Sequence, residues 1–167
     1  MIRSFARCLG GARLIAALAL ILAPTLLGSG AAAAPVHWFD PATGLALGGY
    51  DPLAYFTRKG PHKGREEHEF SWRGAVWRFL NTGNRAAFAH SPNIYAPRFA
   101  GYDPFTIANG TPAQGHPGIW AIHEDRLYIF HNSANRRLWA RDPSGIIARA
   151  EQSWPRVGRA LPWNSTP

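Results

Sequence analysis

The side chains best suited to chemistry in this 167-residue chain are carboxylates and imidazoles, because its single cysteine, Cys8, lies in the N-terminal segment. Seven histidines are present: His37, His62, His68, His90, His116, His123 and His131. No pair has the His-x-x-x-His spacing that places two ligands on one helical face. His116 sits in a Gly115-His116-Pro117-Gly118 turn, and His131 follows an apolar run. With Asp103 they would give two imidazoles and a carboxylate, a donor set suited to zinc, copper(II) or nickel if the fold brings them together. A second group is Tyr50, Asp51 and Tyr55, which with Asp103 forms a candidate small-ligand site. The competing reading is that Asp51 caps the Pro52 turn through its side chain while both tyrosines pack. His62 and His68 flank Glu66, Glu67 and Glu69 and read as a solvated charged loop.

Enzyme signatures are missing. There is no Gly-x-Ser-x-Gly elbow, phosphate-cradling glycine loop or dinucleotide fingerprint. No catalytic residue is assigned, and an enzyme of unrecognised type would have to use Asp51, Asp103 and a loop histidine. Trp38, Trp72, Trp120 and Trp163 raise carbohydrate stacking as an option, but Trp72, Trp77 and Trp120 fall in hairpin patterns and read as core.

Residues 1–33 read as a Sec-type signal peptide. Arg3, Arg7 and Arg13 precede an apolar run from Leu14 to Leu27, and small residues follow from Ser29 to Ala34. That run is shorter than the roughly 20 residues a spanning helix needs. A retained anchor is the alternative. Cleavage after Ala33 leaves a periplasmic or secreted chain without cysteine, excluding disulfides and thiolate metal sites. It keeps 15 of the 18 Lys and Arg and all 10 Asp and Glu, so the formal charge falls from +8 to +5. The expected partners are a small ligand, a metal or an envelope protein, with no nucleic acid and no stable membrane span.

The elements that must position these groups read as a small α+β domain. Residues 34–44 form an extended entry and 45–157 the domain. Residues 158–167 form a flexible tail. Glu69 to Trp72 and Ala75 to Phe79 flank Arg73-Gly74 as one β-hairpin. Ile119 to His123 and Arg126 to Phe130 form a second, with His123 facing Arg126, Ala121 facing Tyr128 and Ile119 facing Phe130. Asn81 to Asn84 offers caps for a short helix over Arg85 to His90. Ser133-Ala134-Asn135 caps another. A helix opening at Asp142-Pro143 is expected to end before Trp154-Pro155. No internal repeat stands out. Tyr102-Asp103-Pro104 echoes Tyr50-Asp51-Pro52 as two similar turns.

Gly48-Gly49-Tyr50-Asp51-Pro52-Leu53-Ala54-Tyr55-Phe56, the Trp72–Phe79 hairpin, Asn84-Arg85-Ala86-Ala87-Phe88 and Pro92-Asn93-Ile94-Tyr95-Ala96-Pro97 occur in that order. Together they resemble exported bacterial YHS-domain proteins over about Leu45 to Trp154. Relatives of the TRASH type handle metals through Phe-Cys-Ser-x-x-Cys-x-x-x-Phe after the hairpin. Here Phe79 and Phe88 match, while Leu80 and Asn84 hold the cysteine positions. Asp103 stands where exported members often carry Gly-Tyr-Cys. The resemblance therefore implies the fold and a binding module without thiolate ligands, or a structural protein of the cell envelope.

Overall fold

The computed structural model describes residue 40 and residues 42–161, so the signal-peptide segment, His37, Trp38 and Trp163 lie outside the described residues. The chain has an α+β fold with two antiparallel two-stranded sheets. In chain order the elements are α1 (Ala54–Thr57), β1 (Arg65–Trp72), β2 (Ala75–Phe79), α2 (Thr82–His90), α3 (Pro92–Tyr95), α4 (Pro104–Ala108), β3 (His116–His123), β4 (Arg126–Phe130), α5 (Ser133–Trp139) and α6 (Pro143–Arg159). Short turns of 3-10 type at Leu47–Gly49 and Arg98–Gly101 open the two halves.

Those halves repeat one another, contrary to the sequence expectation of no repeat. Each begins with three consecutive left-handed residues. Leu47, Gly48 and Gly49 have φ of 51°, 56° and 80°, and Phe99, Ala100 and Gly101 have φ of 55°, 54° and 82°. A Tyr-Asp-Pro follows in both. Asp51 N–H then donates to His62 O, and Asp103 N–H to Ala113 O, both at 2.9 Å. Gly64 N–H returns to Gly49 O, and Gly115 N–H to Gly101 O. A hairpin comes next, then an asparagine-capped helix. The shared pattern after the hairpin is Phe79-Leu80-Asn81-Thr82-Gly83-Asn84-Arg85 against Phe130-His131-Asn132-Ser133-Ala134-Asn135-Arg136. Asn81 accepts from Asn84 N–H and Asn132 from Asn135 N–H, each at 2.8 Å. The caps thus precede both expected helix starts by a few residues.

Both hairpins turn on two residues of positive φ, Arg73-Gly74 and Glu124-Asp125, the twist that suits two-residue hairpin loops. Each carries a register shift, between Arg65 and Glu69 and between His116 and Trp120. In the second hairpin His123–Arg126 and Ala121–Tyr128 pair as expected. Ile119 does not face Phe130, because the shift places His116 there and Trp120 opposite Ile129.

The two hairpins are buried differently. In β2 only Ala75, Trp77 and Phe79 alternate inward, where they pack with Leu53, Phe88 and Ala96. In β4 Leu127 to Phe130 are all buried. Tyr128 and Phe130 face a core with Phe99, Ile107, Trp139, Ile146 and Val157, while Leu127 and Ile129 pack on Tyr55. Tyr55 of the first half therefore fills the seam between the halves. The helix α6 follows α5 as the short α3 follows α2, each opening on a proline, but it runs for 17 residues against four. It also runs through Pro155 to Arg159 instead of stopping before Trp154. Proline inside a helix forfeits one hydrogen bond and crowds the preceding turn, costing about 3 kcal/mol. Burial of Val157 and Leu161, each 2% exposed, offsets that cost and orders the chain past the point where a flexible tail was expected. Among the described residues no helix is long and apolar enough to cross a membrane.

Candidate functional site: two sealed aspartates and a cleft between the repeats

Among the described residues Asp51 and Asp103 are the two buried charged side chains, each with no solvent exposure. Asp51 Oδ1 accepts the Leu53 amide at 2.8 Å. Its Oδ2 accepts the Leu80 amide at 2.8 Å and Asn84 Nδ2 at 2.6 Å. Asp103 repeats the set: Oδ1 accepts the Phe105 amide at 2.8 Å, and Oδ2 accepts the His131 amide at 2.9 Å and Asn135 Nδ2 at 2.8 Å. Each carboxylate ties its Tyr-Asp-Pro turn to the end of a strand and the first turn of a helix. Three donors satisfy a buried charge. The burial that accompanies them closes both carboxylates to solvent.

The proposed ligand and metal residues separate accordingly. Asp51 and Asp103 belong to different clasps. Tyr50 is half-buried and carries Lys63 Nζ 4.1 Å above its ring. Tyr55 is 1% exposed, meets Trp120 edge to face at 5.5 Å, and donates its hydroxyl to Pro117 O at 3.0 Å. Burial first, then the neighbouring Tyr50 and Asp51, raises the Tyr55 phenol above its ordinary value. Tyr102 is pushed up to about 12 by burial. His116 Nδ1 accepts the Gly118 amide at 3.1 Å, which fixes that nitrogen as unprotonated in this arrangement. His131 Nδ1 lies 2.9 Å from Gln114 O, a contact in which the nitrogen is the donor. With Asp103 occupied, the expected two-imidazole and carboxylate centre is not assembled. Among the described residues no group of three or more His, Cys, Asp or Glu is placed to hold a metal ion. Glu66, Glu67, His68 and Glu69 stand on β1 instead of in the expected solvated loop, and Arg78 of β2 pairs with Glu66 and Glu69 at 2.9 and 2.8 Å.

The feature that residue-by-residue reading missed is a cleft of about 190 Å³ where the repeats meet. Leu47 and Gly48 of the first left-handed turn line it, together with Ala100 and Gly101 of the second. Gln114, Pro117 and Asp40 complete much of its wall. A left-handed run costs about 1–2 kcal/mol per non-glycine residue, and such strain gathers where function fixes the backbone. Leu47 and Phe99 sustain it by packing into the cores. The cleft is tied into the clasps and the seam. Pro117 O receives Tyr55, Gln114 O receives His131, and Gly48 O receives Lys63 Nζ at 2.6 Å. The recurring Tyr-Asp-Pro preceded by Gly-Gly or Ala-Gly was the available sequence signal.

Comparison of the chain with protein-family models, with curated proteins and with solved structures returned no match.

Proposed function

We propose that the chain is an exported, non-enzymatic module of the YHS type that holds a small polar ligand in the cleft between its two repeats. The observation that carries this reading is the convergence of two strained, equivalent turns on one concavity. Its volume of about 190 Å³ is many times the roughly 10–15 Å³ that one water needs, enough for a compact ligand. Among the lining residues Gln114 and Asp40 are polar, and Leu47, Pro97 and Pro117 are apolar. A catalytic use of Asp51 or Asp103 has little support, since both carboxylates are buried and hydrogen-bonded at both oxygens. The periplasmic or secreted location rests on the N-terminal sequence.

Ligand-observed NMR with mixtures of small amides, amino acids, sugars and carboxylates tests the reading. Binding should disappear in Ala100→Leu, which fills the cleft, and weaken in Gln114→Ala. No binder at millimolar concentration, or equal binding by Ala100→Leu, rejects it. A parallel titration with Zn(II), Cu(II) and Ni(II) addresses the metal alternative. Affinity lost in His116→Ala with His131→Ala would transfer the function to those imidazoles.

A further inference from the structure

The positive charge of this chain is concentrated in its last two helices. Residues 40–161 contain 15 Lys and Arg against 10 Asp and Glu, a balance of +5. Residues 133–161 alone contain six Arg, at 136, 137, 141, 149, 156 and 159, against Asp142 and Glu151, a balance of +4. All six arginines are exposed. On α6 the apolar residues Ile146, Ala150 and Val157 turn inward. At 3.6 residues per turn, Arg149 and Arg156 stack two turns apart and Arg159 lies on the same outer side. Of the two acids, only Asp142 meets that stripe, at Arg149. Glu151 is held by Arg98 at 2.6 Å, and Asp142 reaches Arg149 Nη1 at 3.8 Å from the helix start. Arg136, Arg137, Arg141, Arg156 and Arg159 have no carboxylate within ion-pair distance among the described residues.

We infer that the outer face of α6 docks the protein onto an anionic lipid surface. The 17-residue helix is about 26 Å long at 1.5 Å per residue, and Arg149, Arg156 and Arg159 are spread over about 15 Å of it. An extended row of guanidinium groups matches an extended plane of phosphates better than one small anion, which needs its donors to converge. Guanidinium forks suit phosphate geometry. The inference rests on charge and exposure and is independent of the ligand cleft.

Vesicle co-sedimentation of the full chain tests it, with phosphatidylglycerol–phosphatidylcholine vesicles against phosphatidylcholine alone. The zwitterionic arm measures whatever the apolar N-terminal run contributes. Each basic residue near an anionic bilayer is worth about a fivefold change in partitioning. Arg149→Gln, Arg156→Gln and Arg159→Gln together should therefore reduce the phosphatidylglycerol-dependent part about a hundredfold, and added salt should erase it. The charge-matched triple Arg58→Gln, Lys59→Gln, Arg65→Gln should retain most of it. Equal partitioning on both vesicle types, or equal losses in the two triples, overturns the inference. Release of the wild type by inorganic polyphosphate at far lower phosphate than the vesicles present would assign the stripe to a soluble polyanion and overturn it as well.

Discussion

Truncating the two clasp asparagines offers a matched pair of perturbations within one molecule. Asn84→Ala removes one of three donors to Asp51, leaving the Leu53 and Leu80 amides. Asn135→Ala does the same at Asp103, leaving the Phe105 and His131 amides. A hydrogen bond to a charged group contributes about 1.5–3 kcal/mol, and more is lost when the remaining buried charge is under-satisfied. Both sites sit in the first turn of a helix, where alanine's better propensity returns only a few tenths of a kcal/mol. Each variant should therefore lose about 1.5–3 kcal/mol, a fall of roughly 6–12 °C in Tm for a domain near 120 residues. The clasps share no partner, so the double variant should lose the sum within about 0.5 kcal/mol. Urea unfolding with a common m-value measures all three. Losses under about 0.5 kcal/mol at both sites would refute the clasp as a stabilising device, and a large loss at only one would refute the equivalence of the repeats.

Trp77→Ala and Phe88→Ala should each cost about 3–5 kcal/mol by chemical denaturation, because the residues are 1% and 0% exposed and stack at 4.8 Å. Losses below about 1 kcal/mol would mean that neither ring is core. Gly64→Ala and Gly115→Ala should each cost at least 1–3 kcal/mol, since a Cβ would collide with the Arg78 backbone at Gly64, and with Gly101 O at Gly115; wild-type melting would contradict the close approach. Alkaline stability should fall through the tyrosines. Tyr102 keeps its proton to about pH 12 when folded and to about 10 when unfolded. Between those values the native state binds the extra proton, so stability is full below pH 10 and declines by about 1.4 kcal/mol per pH unit above it. Tyr55 and Tyr128 are shifted in the same direction by burial. Guanidinium unfolding at pH 9 and 11 measures the slope, and a flat response in wild type would remove the buried phenols from the account.

The hairpins, their turns and the inward aromatics were legible because alternation in Ala75-Val76-Trp77-Arg78-Phe79 and the two-residue turns are local signals. The Asp51 cap of its own Pro52 turn was legible for the same reason. The long-range halves of both clasps were not. Asn84 lies 33 residues from Asp51, and the tie depends on a hairpin closing between them. The repeat was hidden because equivalent positions carry different side chains. Val76 and Arg78 on a half-wet face correspond to Leu127 and Ile129 in the seam. The passage of α6 through Pro155 was illegible because local propensity lost to the burial of Val157 and Leu161. The commitment of Asp103 to three donors was hidden by distance along the chain, since two of them come from residues 28 and 32 positions further along.

The burial of the second hairpin on both sides has a kinetic consequence. Parting β4 from β3 disturbs buried side chains on both faces, Leu127 and Ile129 against Tyr55, and Tyr128 and Phe130 against Phe99 and Trp139. Parting β1 from β2 disturbs them on the inner face of β2 alone. The order of deuterium uptake should run from the first hairpin to the second, with β4 exchanging only at the rate of global opening. Two copies of one architecture would then differ by their coverings alone, one open to fluctuation and the other the last part of the molecule to let go.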